Sequence, residues 1–192
     1  MTKKELFVKI AEGELGVCGP RGEDKYIEWY GGFSNDVPWC AIFVSWCAHK
    51  AGLSAESVPK HASCTLGRSK FKAMGRFHSG DGYIPKPGDL VYFDWDKSGD
   101  CDHVGIVKSS NPISIITIEG NSADAVRQRI YLLNNEQISG FAEVKDEPID
   151  SVEVAIEALA RVGAINSPDY WRENHSKLKY VDDLLIKFAR WV

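Results

Sequence analysis

The sequence has no Cys-x-x-Cys pair among its five cysteines, Cys18, Cys40, Cys47, Cys64 and Cys101. An odd number cannot pair completely, and without that spacing neither a disulfide framework nor a zinc site is favoured. One reactive thiol among structural ones is the economical reading. No apolar run approaches the roughly 20 residues of a membrane-spanning helix, so no membrane insertion is expected. An excess of positive charge is missing too. The 23 Lys and Arg face 27 Asp and Glu, a net charge of −4, which argues against nucleic acid as the main partner. Internal repeats and low-complexity tracts are absent.

The opening segment, Met1-Thr2-Lys3-Lys4-Glu5-Leu6-Phe7-Val8-Lys9-Ile10, carries lysines without the long apolar core of a signal peptide. It reads as an amphipathic helix. Synthesis in the cytoplasm without a signal peptide is therefore expected, with release left to another agent if the protein works outside.

What is present suffices for one core plus an appendage: 192 residues, 44% of them hydrophobic. Helical spacing of Leu6, Phe7, Ile10 and Leu15 predicts a helix over Lys3 to Leu15, ended near Gly16. A short aromatic element, Tyr26 to Tyr30, follows a loop. Pro38 suits the first turn of a helix running to about Lys50, with Ile42, Phe43 and Trp46 as its apolar stripe. Another short helix is expected near Ser63–Ala73. Runs rich in β-formers then predict strands at Leu90–Phe93, His103–Val107, Ser114–Glu119, Arg127–Leu132 and Ile138–Ala142. Helices first and an antiparallel meander afterwards define an α+β domain. A charged linker over 143–150 gives way to helical periodicity: Val152, Ile156, Leu159 and Ala160, then Leu184, Leu185, Phe188 and Trp191. This 151–192 unit is too small to stabilise itself and is expected to pack on the main domain or on a twin, as a possible homo-oligomer contact.

Cys40 draws attention because it sits in the first turn of its helix. Unpaired backbone N–H groups and the positive dipole end favour an anion there, and the thiolate is the reactive form. A core thiol would have the same neighbours, so both readings stand on this segment alone. A thiolate nucleophile needs a base, and the base an orienting group. Of His49, His61, His78, His103 and His175, only His103 opens a predicted strand, with small Gly105 and Val107 on its face. The next strand ends in Glu119-Gly120-Asn121, and either Glu119 or Asn121 can accept from the distal imidazole nitrogen and fix its tautomer. Cysteine on a helix, histidine on a strand, then a polar orienter is the chain order of papain-like hydrolases. A hairpin histidine and a solvated strand-end acid are the plainer alternative.

Four ordered blocks carry a resemblance: Pro38-Trp39-Cys40-Ala41-Ile42-Phe43-Val44-Ser45-Trp46-Cys47, Pro87-Gly88-Asp89-Leu90-Val91-Tyr92-Phe93, Asp102-His103-Val104-Gly105-Ile106-Val107 and Ile118-Glu119-Gly120-Asn121. Together they resemble the CHAP domain (cysteine, histidine-dependent amidohydrolase/peptidase) over about residues 1–145. The resemblance implies a papain-like fold, with N-terminal helices on an antiparallel sheet, and hydrolysis of amide bonds in bacterial peptidoglycan. It assigns Cys40 as nucleophile, His103 as general base, Glu119 as orienter and Asn121 as an alternate orienter. Residues 151–192 are similar to short helical modules appended to phage and Gram-positive wall hydrolases, where wall binding is the usual suggestion. Ser34 or Asn35 is the expected second oxyanion donor beside the Cys40 N–H. Trp39 and the Trp29-Tyr30 pair are candidate cleft walls, with core aromatics as the alternative.

No cofactor is required by this chemistry. Calcium is the one to weigh, because Asp94-x-Asp96-x-Ser98-Gly99 imitates the start of an EF-hand loop. Its twelfth position is Gly105, not the bidentate glutamate that such a loop needs. Glu23, Asp24 and Asp36, with Asn35, offer a second candidate cage, since some relatives bind calcium there. The leading expectation is a phage or prophage endolysin; the competing ones are a wall-binding protein without catalysis and a toxin or remodelling enzyme acting on another amide.

Overall fold

A computed structural model describes residues 1–19, 22–32, 37–79 and 82–192. The chain begins with α1 (Lys3–Gly13), which Thr2 caps: its side chain accepts from the Glu5 N–H while the Glu5 carboxylate accepts from the Thr2 N–H. Leu6, Phe7 and Ile10 on its inner face are fully buried. Next come α2 (Asp24–Tyr30), α3 (Cys40–Lys50) and α4 (Cys64–Ala73). Pro38 lies before α3 and not in its first turn. Trp39 takes the cap position, its carbonyl accepting from the Phe43 N–H, so Cys40 is the first helical residue.

The sheet comprises β1 (Phe77–His78), β2 (Leu90–Phe93), β3 (His103–Ser110), β4 (Ser114–Glu119), β5 (Arg127–Leu132) and β6 (Ile138–Ala142). The spatial order β1-β6-β2-β3-β4-β5 is antiparallel throughout. The α+β expectation of helices on an antiparallel sheet is met, but the meander covers β2 to β5 only. β6 crosses back to pair with β2, and β1, too short to show in the sequence pattern, pairs with β6. The 133–137 connection spans this gap because the sheet curls. Register shifts at Tyr92/Phe93 and Val107/Ser109 add local twist, and the Phe93 and Tyr131 rings meet at 4.7 Å.

Alternation along the strands separates two cores. Leu90, Tyr92, Val104, Ile106 and Ile118 face α1 and α3, whereas Val91, Phe93, Val107, Ile115 and Phe141 fill the curl of the sheet. Each fully buried apolar side chain is worth roughly 1.5–3 kcal/mol. A buried ion pair joins the layers. The Lys4 Nζ donates to Asp89 Oδ1 at 2.8 Å, and Asp89, wholly inaccessible to solvent, also accepts from Tyr83 Oη, the Lys86 N–H and the Val144 N–H.

Beyond the linker stand α5 (Val152–Arg161), capped by Ser151, then α6 (Pro168–Asn174) and α7 (Val181–Trp191). Ile156, Leu159, Leu185 and Ala189 join the main apolar core, so this unit packs on the rest of the chain. Of the predicted α7 stripe only Leu185 is buried; Leu184, Phe188 and Trp191 are 64%, 39% and 83% exposed. Among the described residues no helix is long and apolar enough to cross a membrane.

Candidate active site

Three elements deliver their terminal residues to one place. Cys40 opens α3, His103 opens β3, and Glu119 closes β4. His103 Nε2 lies 2.9 Å from Glu119 Oε2, and the imidazole couples to the Cys40 thiol through hydrogen bonding and charge. All three are buried, at 8%, 1% and 3% exposure for His103, Glu119 and Cys40. The structure thus brings the predicted thiol, imidazole and carboxylate into one line.

Local sequence explains the fit. A Cβ on Gly105 would stand 2.8 Å from Glu119 Cγ, so glycine leaves room for the carboxylate beside β3. A Cβ on Gly120 would stand 2.5 Å from Phe43 Cβ and 2.7 Å from the Trp39 ring. Glycine therefore lets the first turn of α3 settle against the end of β4. Glu119 is further held by Thr117 Oγ1, donating at 2.5 Å, and by Tyr131 Oη, donating at 3.3 Å. Phe93 and Trp95 pack against the His103 ring at centroid distances of 6.0 and 6.1 Å. This apolar wall strengthens the electrostatic coupling inside.

The electrostatics follow from these contacts. Cys40 is held well below the usual thiol range, first by a hydrogen bond from Cys64 and, against the cost of burial, by the hydrogen bond and charge of His103. For His103, burial favours the neutral ring, but its bonds to Cys40 and Glu119 outweigh this and raise it to about 9. Both shifts favour the thiolate–imidazolium form of the pair. Cys40 also borders a cavity of about 330 Å³, whose walls include Pro38, Ile42, Ser63, Cys64, Cys101 and Asp102.

Other sequence candidates are placed elsewhere. Asn121 takes a left-handed backbone, φ 56°, in the turn after β4, and Glu119 is the carboxylate that meets His103. Trp39 corrects the expectation of a cleft wall: it is 2% exposed, stacked on Tyr26 at 5.6 Å and edge-on to Phe43. Burial leaves it no face for a ligand. Trp29 and Tyr30 lie apart from the cavity walls, half-buried beneath the Lys60 ammonium, with Trp29 against His49. His61 is buried with its ring nitrogens facing the Pro59 carbonyl and Tyr92 Oη. His78 stacks on Tyr83, and His175 pairs with Asp182. Ser34, Asn35 and Asp36 fall outside the described residues.

For metals, Asp94, Asp96 and Asp102 bring one oxygen each within 4.8 Å of one another. Their carboxylates accept from the backbone N–H groups of Ser98, Gly99 and Trp95, which fold the turn. Calcium takes six to eight oxygens, and one oxygen from each of these three supplies at most half of that. Glu23 and Asp24, at the start of α2, are buried and half-buried.

Cys64 is the neighbour that sequence reasoning missed. Its Sγ lies 3.4 Å from Cys40 Sγ, from a position 24 residues along the chain. Tyr131 escaped notice for the same reason: the pairing of β5 with β4, not proximity in the chain, brings it to Glu119, whereas Thr117 lies two residues before Glu119 on β4 itself.

No curated protein matches the chain. Solved structures similar to it include the crystal structure of Ly7917 and that of Ly7917 with the hydrolyzing product of MDP. Each has a TM-score of 0.47 and 14% identity, covering 73% of this chain and 62% of the other. This chain therefore spans less than two thirds of their length. Residues 32–121 match the family model of the CHAP domain, and the chain carries a CHAP domain there.

Proposed function

We propose that this protein hydrolyses an amide bond of bacterial peptidoglycan, in the stem peptide, the cross-bridge or the muramoyl-alanine linkage, by a thiol mechanism. The observation that carries the reading is the coupled line Cys40–His103–Glu119, with the thiol bordering an open cavity. The Cys40 thiolate attacks the carbonyl carbon. The helix-opening position points the Cys40 N–H away from α3's own carbonyls, toward the developing oxyanion. The His103 imidazolium protonates the leaving amine and, once neutral, takes a proton from the water that releases the acyl group. Glu119 holds the ring so that its other nitrogen faces sulfur.

The wider setting we propose is a phage or prophage endolysin that reaches the wall through a holin-type opening. The 151–192 helices then serve either as packing or as a wall contact. Turbidity loss of purified walls tests the activity: it is expected with the reduced protein and abolished by iodoacetamide or by Cys40→Ser. Undiminished clearing by Cys40→Ser would overturn the assignment, and wall binding without clearing would favour a silent binder.

A further inference from the structure

Cys64 takes no covalent part in the proposed hydrolysis, yet the fold holds it against the nucleophile. It opens α4 as Cys40 opens α3, and the two sulfurs stand 3.4 Å apart, both buried. This approach is built in. Ser63 caps α4 by accepting from the Leu66 N–H. Ser45, on α3, donates through Oγ to the His61 carbonyl and accepts from the His61 N–H, which ties the segment leading to α4 onto α3. Gly67 lets α4 lie close, since a Cβ there would stand 2.3 Å from His61 and 2.7 Å from Tyr92 Oη. Both sulfurs border the same cavity, so a small oxidant reaches them from solvent.

We propose that Cys40 and Cys64 form a peroxide-reactive dithiol, a modification site at which Cys64 captures oxidised Cys40 as a reversible disulfide. The Cys40 thiolate attacks one peroxide oxygen and the O–O bond breaks. The departing hydroxide takes the His103 imidazolium proton and leaves as water, so that sulfur loses two electrons and becomes a sulfenic acid. Cys64 sulfur then attacks the Cys40 sulfur and the S–O bond breaks. The Cys64 proton leaves with the hydroxyl as a second water. The sulfurs close from 3.4 Å to about 2.05 Å as the bond forms. A dithiol reductant returns two hydrogens and restores both thiols. Capture spares Cys40 from sulfinic acid, the irreversible step.

That the bond silences activity rests on Cys40 being the nucleophile; the bond itself does not. The test treats the reduced full chain with hydrogen peroxide, blocks the remaining thiols with iodoacetamide and maps the peptides by mass. Wild type is expected to lose two hydrogens, to yield one Cys40–Cys64 linked peptide, and to recover both thiols with dithiothreitol. Cys64→Ser is expected to accumulate oxygen on Cys40 that dithiothreitol does not remove. A Cys40 sulfinate in wild type with Cys64 still alkylated, or a link from Cys40 to Cys101, would overturn the proposal. The wild-type map decides even if the variant fails to fold, and wall clearing by the reduced protein is scored separately.

Discussion

The 2.9 Å contact between His103 Nε2 and Glu119 Oε2 fixes which imidazole nitrogen is left to face Cys40. Glu119 in turn is held in place, accepting from Thr117 and Tyr131 as well. Glu119→Gln keeps the shape but removes the charge that stabilises the imidazolium. Wall-clearing kcat is expected to fall on the order of 10²-fold, the scale of one impaired acid–base group. Unchanged kcat would mean that Glu119 does not orient the base.

Gly105→Ala probes the same contact from the other side. The new methyl would stand 2.8 Å from Glu119 Cγ, so the carboxylate must move away from His103. Activity is expected to drop at least tenfold, about 1.4 kcal/mol in the barrier, with a far-ultraviolet dichroism spectrum like that of the parent.

Activity should fall on the alkaline side as His103 loses its proton, with a midpoint at about 9. Below that midpoint the imidazolium is present to protonate the leaving amine, so the sign is a loss with rising pH. The acid limb should lie well below the usual thiol range, because Cys40 ionises early through the Cys64 hydrogen bond and His103. Iodoacetamide labelling of Cys40 should follow the same acid limb. A labelling rate that rises with an ordinary thiol midpoint would contradict the ion pair.

The fold has its own sensitive point at Asp89, buried and bonded to Lys4, Tyr83, Lys86 and Val144. Asp89→Ala leaves the Lys4 charge unpaired between α1 and the sheet. Destabilisation of about 3–5 kcal/mol is expected, read as a lower urea midpoint. A midpoint equal to the parent's would show that the pair is not holding these layers.

The sequence made the helix and strand list legible because its signals are local: capping residues, helical spacing and β-branched runs. His103 and Glu119 were readable as a strand start and a strand end, and small residues beside them hinted at room. What was hidden is set by long-range pairing. The return of β6 to β2 depends on sheet curl, which no local pattern encodes. Trp39 looked like a cleft wall because an aromatic beside a nucleophile suits either role; its stacking on Tyr26 decides for the core. Cys64 carried no signal beyond Ser63 capping a helix, since the contact to Cys40 exists only once α4 folds onto α3.

Muropeptide mass spectrometry of purified walls, digested by the parent and by Cys40→Ser, tests the central claim most directly. The parent is expected to release fragments with one water added across an amide bond, and Cys40→Ser none. Fragments cut at a glycosidic bond, or equal amide cleavage by both proteins, would contradict the account.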